Sequence, residues 1–308
     1  MSLKHLGFID LPAHLKAGGF DHAAIHRESA KLYVAHTAND SLDVIDCRKD
    51  CYSHSITNLP GVAGALVSDE HDLIFTSNRG ENTVGIFQSS DEHGLLKIPC
   101  GVRPNGLAYD AKRGSLLAAN VGDPAIPNSF TLSIIDVKRE SMIASIPVSG
   151  RTRWVVFDAE GDCFYVNIAD PPQIVVIESG DPTRISKVIS IPAAGPHGLD
   201  LDAGSRRLFC ACDAGKLVVL DADSGKVISI VEISGAPDVI FFNAALEHLY
   251  VAIGDPGVID VIATREMKLS DRVSTEKGAH TIAFDPDRNK IYAFLPQTHR
   301  AGIYSDEG

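Results

Sequence analysis

Short runs of β-branched and aromatic residues alternate with polar turns along the whole chain, always in the same order. The stretch KLYVAHTANDSLDVID, from Lys31 to Asp46, shows the unit: an apolar strand, a polar turn, and a second alternating strand. Near-copies occupy 72–88, 163–178, 207–221 and 248–263, with a looser one at 290–305 and an enlarged one at 115–136. Each copy is preceded by a further apolar run, such as NGLAYD (105–110) or RWVVFD (153–158), and most of these runs end on Asp or Asn before turn-forming residues.

The spacing between these runs is constant. Asp21 to Leu32, Ala63 to Ile74, Asn105 to Leu116, Arg153 to Phe164, His197 to Leu208, Asp238 to Leu249 and His280 to Ile291 are each eleven residues apart. An insertion inside a strand would turn every following side chain to the wrong face, so a constant spacing marks one repeated supersecondary unit. A fourth run follows in most repeats, as in HSITNLPG, LLKIPCG, MIASIPVSG, KVISIPAAG and VISIVEISG. Four antiparallel strands per repeat predict an all-β, seven-bladed β-propeller. The seventh repeat stops at its third strand, and HLGFIDLPA (5–13) resembles the missing fourth, so the amino-terminal strand is expected to complete the last blade and protect its edge. The blades fall at about 20–62, 63–103, 104–151, 152–195, 196–236, 237–278, and 279–308 with 4–16, in one domain of 1–308.

The repeats resemble the YVTN type, in which Tyr-Val-Thr-Asn precedes a turn and an apolar strand ending in Ile-Asp. The chain shows this as Tyr33-Val34-Ala35-His36, Phe75-Thr76-Ser77-Asn78, Leu117-Ala118-Ala119-Asn120 and Tyr165-Val166-Asn167, with strand ends Val44-Ile45-Asp46 and Ile134-Ile135-Asp136. The resemblance implies a seven-bladed propeller but no particular activity, since such proteins are variously binding proteins, lactonase-like enzymes and cofactor carriers. No Trp-Asp pair ends a blade, which argues against a WD repeat.

Composition narrows the partners. A formal net charge of −12 argues against nucleic acid or an anionic membrane surface as partner of the whole molecule, and leaves room for a local basic patch. No apolar run is long enough to span a bilayer, and no signal segment opens the chain, although the MSL start and closing EG resemble additions that could replace a removed leader. Cys47, Cys51, Cys100, Cys163, Cys210 and Cys212 form no paired framework and are expected to be reduced core residues, with Cys210 and Cys212 facing one side of a strand and Cys47/Cys51 as a lesser redox candidate. Reduced thiols favour the cytoplasm.

The residues that open the seven first strands should ring one mouth of the central channel. Neighbouring blades place His197, Asp238, His280 and Asp21 on one arc, a set suited to a divalent metal as cofactor or to His197 and His280 as general bases oriented by Asp. The other arc holds Asn105 and Arg153, with Arg103, Arg151 and Trp154 close by, where guanidinium forks could grip a carboxylate or phosphate. His22 and His36 lie just off the ring and are expected at the surface, with His299 and Arg300 as rim contacts. Six added residues around Asp123 to Asn128, two of them Pro124 and Pro127, suggest a stiff lip over that mouth.

No HExxH, Gly-x-Ser-x-Gly, phosphate-binding Gly-rich loop or CxxCH occurs, which disfavours zincins, serine hydrolases, nucleotide enzymes and c-type haem carriers. The leading expectation is a propeller that binds a small anionic or metal-associated ligand at the channel mouth. The alternatives are a metal- or His-dependent lactone hydrolase or lyase, and a non-catalytic scaffold for a protein partner.

Overall fold

The computed structural model describes residues 3–308, and in them twenty-eight strands form seven four-stranded antiparallel sheets. Numbered in chain order, the innermost strands are β2 (Phe20–His26), β6 (Val62–Ser68), β10 (Pro104–Asp110), β14 (Thr152–Asp158), β18 (Pro196–Asp202), β22 (Pro237–Asn243) and β26 (Thr281–Asp285). Each packs against the innermost strand of the next blade, and β2 packs against β26, which closes the ring. The chain is a seven-bladed β-propeller.

The last sheet is built from both ends of the chain: β26, β27 (Lys290–Leu295), β28 (Arg300–Asp306) and, outermost, β1 (Leu3–Asp10). The register pairs Leu3 with Asp306 and Asp10 with Arg300. The amino-terminal strand therefore completes the blade as expected, although it ends at Asp10 rather than residue 13. Beyond it the Leu11 N–H still donates to the His299 carbonyl at 2.9 Å.

The second and third strands of every blade are sealed on both faces by the neighbouring blades. This explains why they read as nearly unbroken apolar runs rather than strict alternations. Phe75 and Ile86 of the second blade meet Leu107 and Leu116 of the third in one such layer. Leu117 and Ile134 of the third meet Phe164 and Val175 of the fourth in the next. Five of the seven first strands end on Asp or Asn, and that residue accepts from the N–H three residues on, as Asp158 Oδ1 does from Gly161 (3.0 Å) and Asp202 Oδ1 from Ser205 (3.1 Å). These carboxylates serve the turns.

Two features of the innermost strands set the ring. The pairing of six of the seven slips at the ring position: between Phe20 and Ala23, Val62 and Gly64, Pro104 and Leu107, Thr152 and Val155, Pro196 and Gly198, and Pro237 and Ile240. Such a bulge re-aims a side chain, here at the channel mouth. The residue after the ring position then backs onto the next blade. A Cβ on Gly106 would lie 2.5 Å from the Arg153 carbonyl oxygen, and one on Gly198 would lie 2.5 Å from that of Asp238. Glycine here fixes how closely adjacent blades approach.

Four of the six cysteines fit the expectation of core thiols. Cys47, Cys163, Cys210 and Cys212 are buried, and the sulfurs of Cys210 and Cys212 lie 3.9 Å apart on one side of their strand. Cys100 is half-buried and Cys51 exposed, which corrects the expectation for those two: both lie toward the blade's outer edge, where no further sheet covers them. All six are free, so Cys47 and Cys51 are not bonded to each other. Among the described residues no helix is long and apolar enough to cross a membrane.

Candidate functional site

The ring forms as the repeat spacing predicts, but its two arcs are joined rather than opposed. Asp21, Asn105, Arg153, His197 and Asp238 are each the second residue of an innermost strand, and His280 immediately precedes β26. Asp238 bridges two histidines: its Oδ1 lies 3.1 Å from His197 Nε2 and its Oδ2 2.7 Å from His280 Nδ1. His197 Nδ1 contacts Asp213 Oδ1 at 2.7 Å, and Arg153, instead of facing His197 across the opening, places Nη1 2.9 Å from its Nε2. Arg153 Nη2 reaches Asp213 at 3.4 Å.

Asp21 takes a different partner from the one expected. Its Oδ2 pairs with Arg79 Nη2 at 3.2 Å, and its Oδ1 lies 3.4 Å from His22 Nε2. The quartet His197, Asp238, His280 and Asp21 does not present itself as a metal shell. Among the described residues no group of three or more His, Cys, Asp or Glu is arranged to hold an ion. The physical reason is that both nitrogens of His197 and both oxygens of Asp238 are already directed at each other and at protein neighbours.

The same contacts decide the protonation of the histidines. Burial works to lower the His197 pKa, but the charge of Asp238 and hydrogen bonds to Asp213 and Asp238 outweigh it and raise it to about 9. His280 is raised too, burial again being outweighed by Asp238. Asp238 is held well below the usual carboxylate range: its burial is overcome by His197 and His280. At neutral pH His197 is therefore an imidazolium clamped between carboxylates, which is unsuited to the general-base role expected of it.

Arginines make up the remainder. Arg79, in the loop between the second and third strands of its blade, was not picked out from the sequence because it occupies no repeat position. Desolvation and the nearby guanidiniums of Arg153, Arg79 and Arg103 all lower the pKa of Arg151, which locates the four arginines in one cluster. Among the described residues neither Arg103 nor Arg151 has a carboxylate at ion-pair distance. Asn105 is buried beside them, its Oδ1 unpartnered, as are the Nε atoms of Arg79 and Arg153. Its carbonyl is fixed by Ser77 Oγ at 2.7 Å, just as the His197 carbonyl is fixed by Asn167 Nδ2 at 2.9 Å. The enlarged loop folds back on this side, with Val121 N donating to the Arg103 carbonyl at 2.9 Å and Gly122 N to that of Val102 at 3.0 Å.

Several expected rim residues lie elsewhere. Trp154 sits one level below the mouth, its ring meeting His22 edge-on with centroids 3.9 Å apart. His22 and His36 are both buried, not at the surface. Burial lowers His22 to about 4, so it is neutral, and His36 joins Asp43 and His14, each at 2.7 Å. His299 and Arg300 belong to the closure, where Arg300 Nε pairs with Asp10 at 2.8 Å and the His299 ring stacks edge-on against His14.

Solved structures share this architecture. A chain of Kuenenia stuttgartiensis hydrazine synthase superposes with a TM-score of 0.82 at 14% identity, covering 96% of this chain and 98% of its own. A chain from the mitotic checkpoint complex superposes at 0.81 with 11% identity, covering 98% and 91%. No family model matches the chain, and no curated protein matches it in sequence. The likeness shows the fold alone. A fold of this kind implies no particular role.

Proposed function

We propose that this propeller binds a small anionic ligand, a carboxylate or phosphate, at the mouth ringed by Arg79, Asn105, Arg153 and His197, with Arg103 and Arg151 as rim contacts. The observation that carries this reading is a local excess of positive charge in an acidic protein. Four guanidiniums and the His197 imidazolium stand against the three carboxylates that contact them, Asp21, Asp213 and Asp238. Planar guanidinium forks with unpaired donors match the oxygen pairs of carboxylate and phosphate. The raised His197 adds a fixed cation and supports binding over lactone hydrolysis, which would need a neutral imidazole.

The test is calorimetric titration of the purified protein with inorganic phosphate, acetate and citrate at low and moderate salt. Saturable binding of at least one anion, weakened by salt and weakened tenfold or more in Arg151→Ala and Arg79→Ala, is expected. Absence of saturable binding across the panel, or unchanged affinity in both variants, would overturn the assignment.

A further inference from the structure

The His22–Trp154 contact separates the mouth from a second space in the same channel. This cavity, of 740 Å³, opens on the opposite face, and none of the seven ring positions lines it. Its walls are apolar and aromatic, including Leu66, Tyr109, Val156, Phe157 and Phe241, with Trp154 and His22 at its inner end. Its volume is that of an ordinary small-molecule site.

One wall breaks the apolar pattern. In the layer formed by Ala24, Leu66, Ala108, Val156, Asp200, Phe241 and Ala283, the carboxylate is the single polar member. Asp200 accepts from Leu201 N at 2.8 Å and from Phe242 N at 2.7 Å, two backbone bonds that aim it across the junction of the fifth and sixth blades. Among the described residues no basic side chain stands at ion-pair distance from it. Other charges near the opening are matched: Arg27 with Asp287, and Asp158 with Arg206 at 2.7 Å. Glu160, at the exposed rim, has no ion-pair partner among the described residues and adds further negative charge. The cavity thus has the opposite polarity to the mouth.

We propose that this cavity is a second binding site, specific for an organic ammonium ion carried on an apolar or aromatic body. The ammonium group would pair with Asp200, and the body would pack on Trp154, Phe157 and Phe241, whose ring faces also attract cations. A neutral ligand of the same shape would leave the carboxylate without a counter-charge, and an anionic one would be repelled by it.

Trp154 is the only tryptophan in the chain, so its emission reports on the site directly. The experiment titrates the full-length protein with phenylbutylammonium, phenylbutanol and phenylbutyrate at pH 8, where Asp200, raised by burial to about 6, is ionised. The expected result is a saturable change in emission, with the ammonium ion bound at least tenfold more tightly than the alcohol and the carboxylate weakest. Asp200→Asn should bring ammonium and alcohol to equal affinity. Ala24→Phe, which fills the cavity from the first blade, should abolish binding of both. Equal affinity for the two in the unmodified protein, an ammonium preference that survives Asp200→Asn, binding that survives Ala24→Phe, or no emission change with any probe would each overturn the proposal.

Discussion

Arg153 Nη1 and Asp238 Oδ1 approach the same atom, His197 Nε2, at 2.9 and 3.1 Å. A ring nitrogen either donates or accepts, so the two contacts are alternatives. With a proton on Nε2 the bond goes to Asp238 and Arg153 depends on Asp213; without it, the lone pair is open to Arg153. His197 is thus the point where the carboxylate and guanidinium arcs meet.

This arrangement sets a pH dependence. His197 is raised from 6.5 to about 9, so its contribution to stability is fully present below pH 6.5 and lost as pH rises through 9. At about 1.4 kcal/mol per unit, the effect is at most about 3.5 kcal/mol. The melting temperature should fall between pH 7 and 9.5, and His197→Gln should flatten that slope. A slope of equal size in the variant would refute the assignment.

Asp238 should be the most sensitive ring residue. Replacing it with Asn leaves two partly buried histidines without their shared counter-charge, and because His280 is more than a third exposed and His197 keeps Asp213, the cost should fall below the about 3–5 kcal/mol of breaking a fully buried pair. Asp238→Asn should melt well below the parent at pH 7, with the difference shrinking near pH 10, where the histidines are neutral anyway. Thermal unfolding at the two pH values checks this.

Arg153→Lys should fold nearly as well as the parent but hold anions less well. One ammonium cannot hold Asp213 Oδ2 and at the same time offer a fork to a ligand. A loss of tenfold or more in phosphate or carboxylate affinity, about 1.4 kcal/mol, is expected by calorimetry.

The glycines behind the ring offer a steric test. Gly198→Ala puts a Cβ 2.5 Å from a backbone oxygen of the next blade, which can yield only by moving the strand that carries Asp238. A loss of about 1–3 kcal/mol is expected. Gly180→Ala meets nothing within 4 Å and should be close to neutral. Denaturant midpoints of the two variants make the comparison.

Removal of residues 3–10 should cost several kcal/mol. Leu3 and Ile9 are buried in the last blade, and the outer edge of β28 would lose its partner. A truncated protein melting within a degree or two of the full chain would contradict this.

The fold was legible because its determinants are periodic. A strand sealed on both faces must be apolar, and a constant spacing of eleven residues keeps each strand in register, so blades and ring positions could be counted directly. The outer strand of the sixth blade, Lys268–Ser274, was not visible because its sequence, KLSDRVS, is mostly polar and exposed. The ring's membership could be read, but its partners could not. Arg79 and Asp213 come from loops whose sequences do not repeat, and spacing alone does not say which way a bulged strand turns Trp154. The cavity around Asp200 was hidden for a similar reason: a carboxylate in HGLDLD looks like the turn aspartate two residues later, and only the assembled ring shows that one faces the channel and the other the turn.

The pairing of β1 with β28 joins the two ends of the chain, and it orders events during synthesis. Translation delivers β1 first and its partner last, so the strand waits alone while six blades are assembled behind it. Its composition suits the wait. Only Leu3 and Ile9 turn inward; Leu6 and Phe8 lie exposed with Lys4, His5 and Asp10, so it is the charges at either end of the strand that oppose pairing with a wrong edge before the right one emerges.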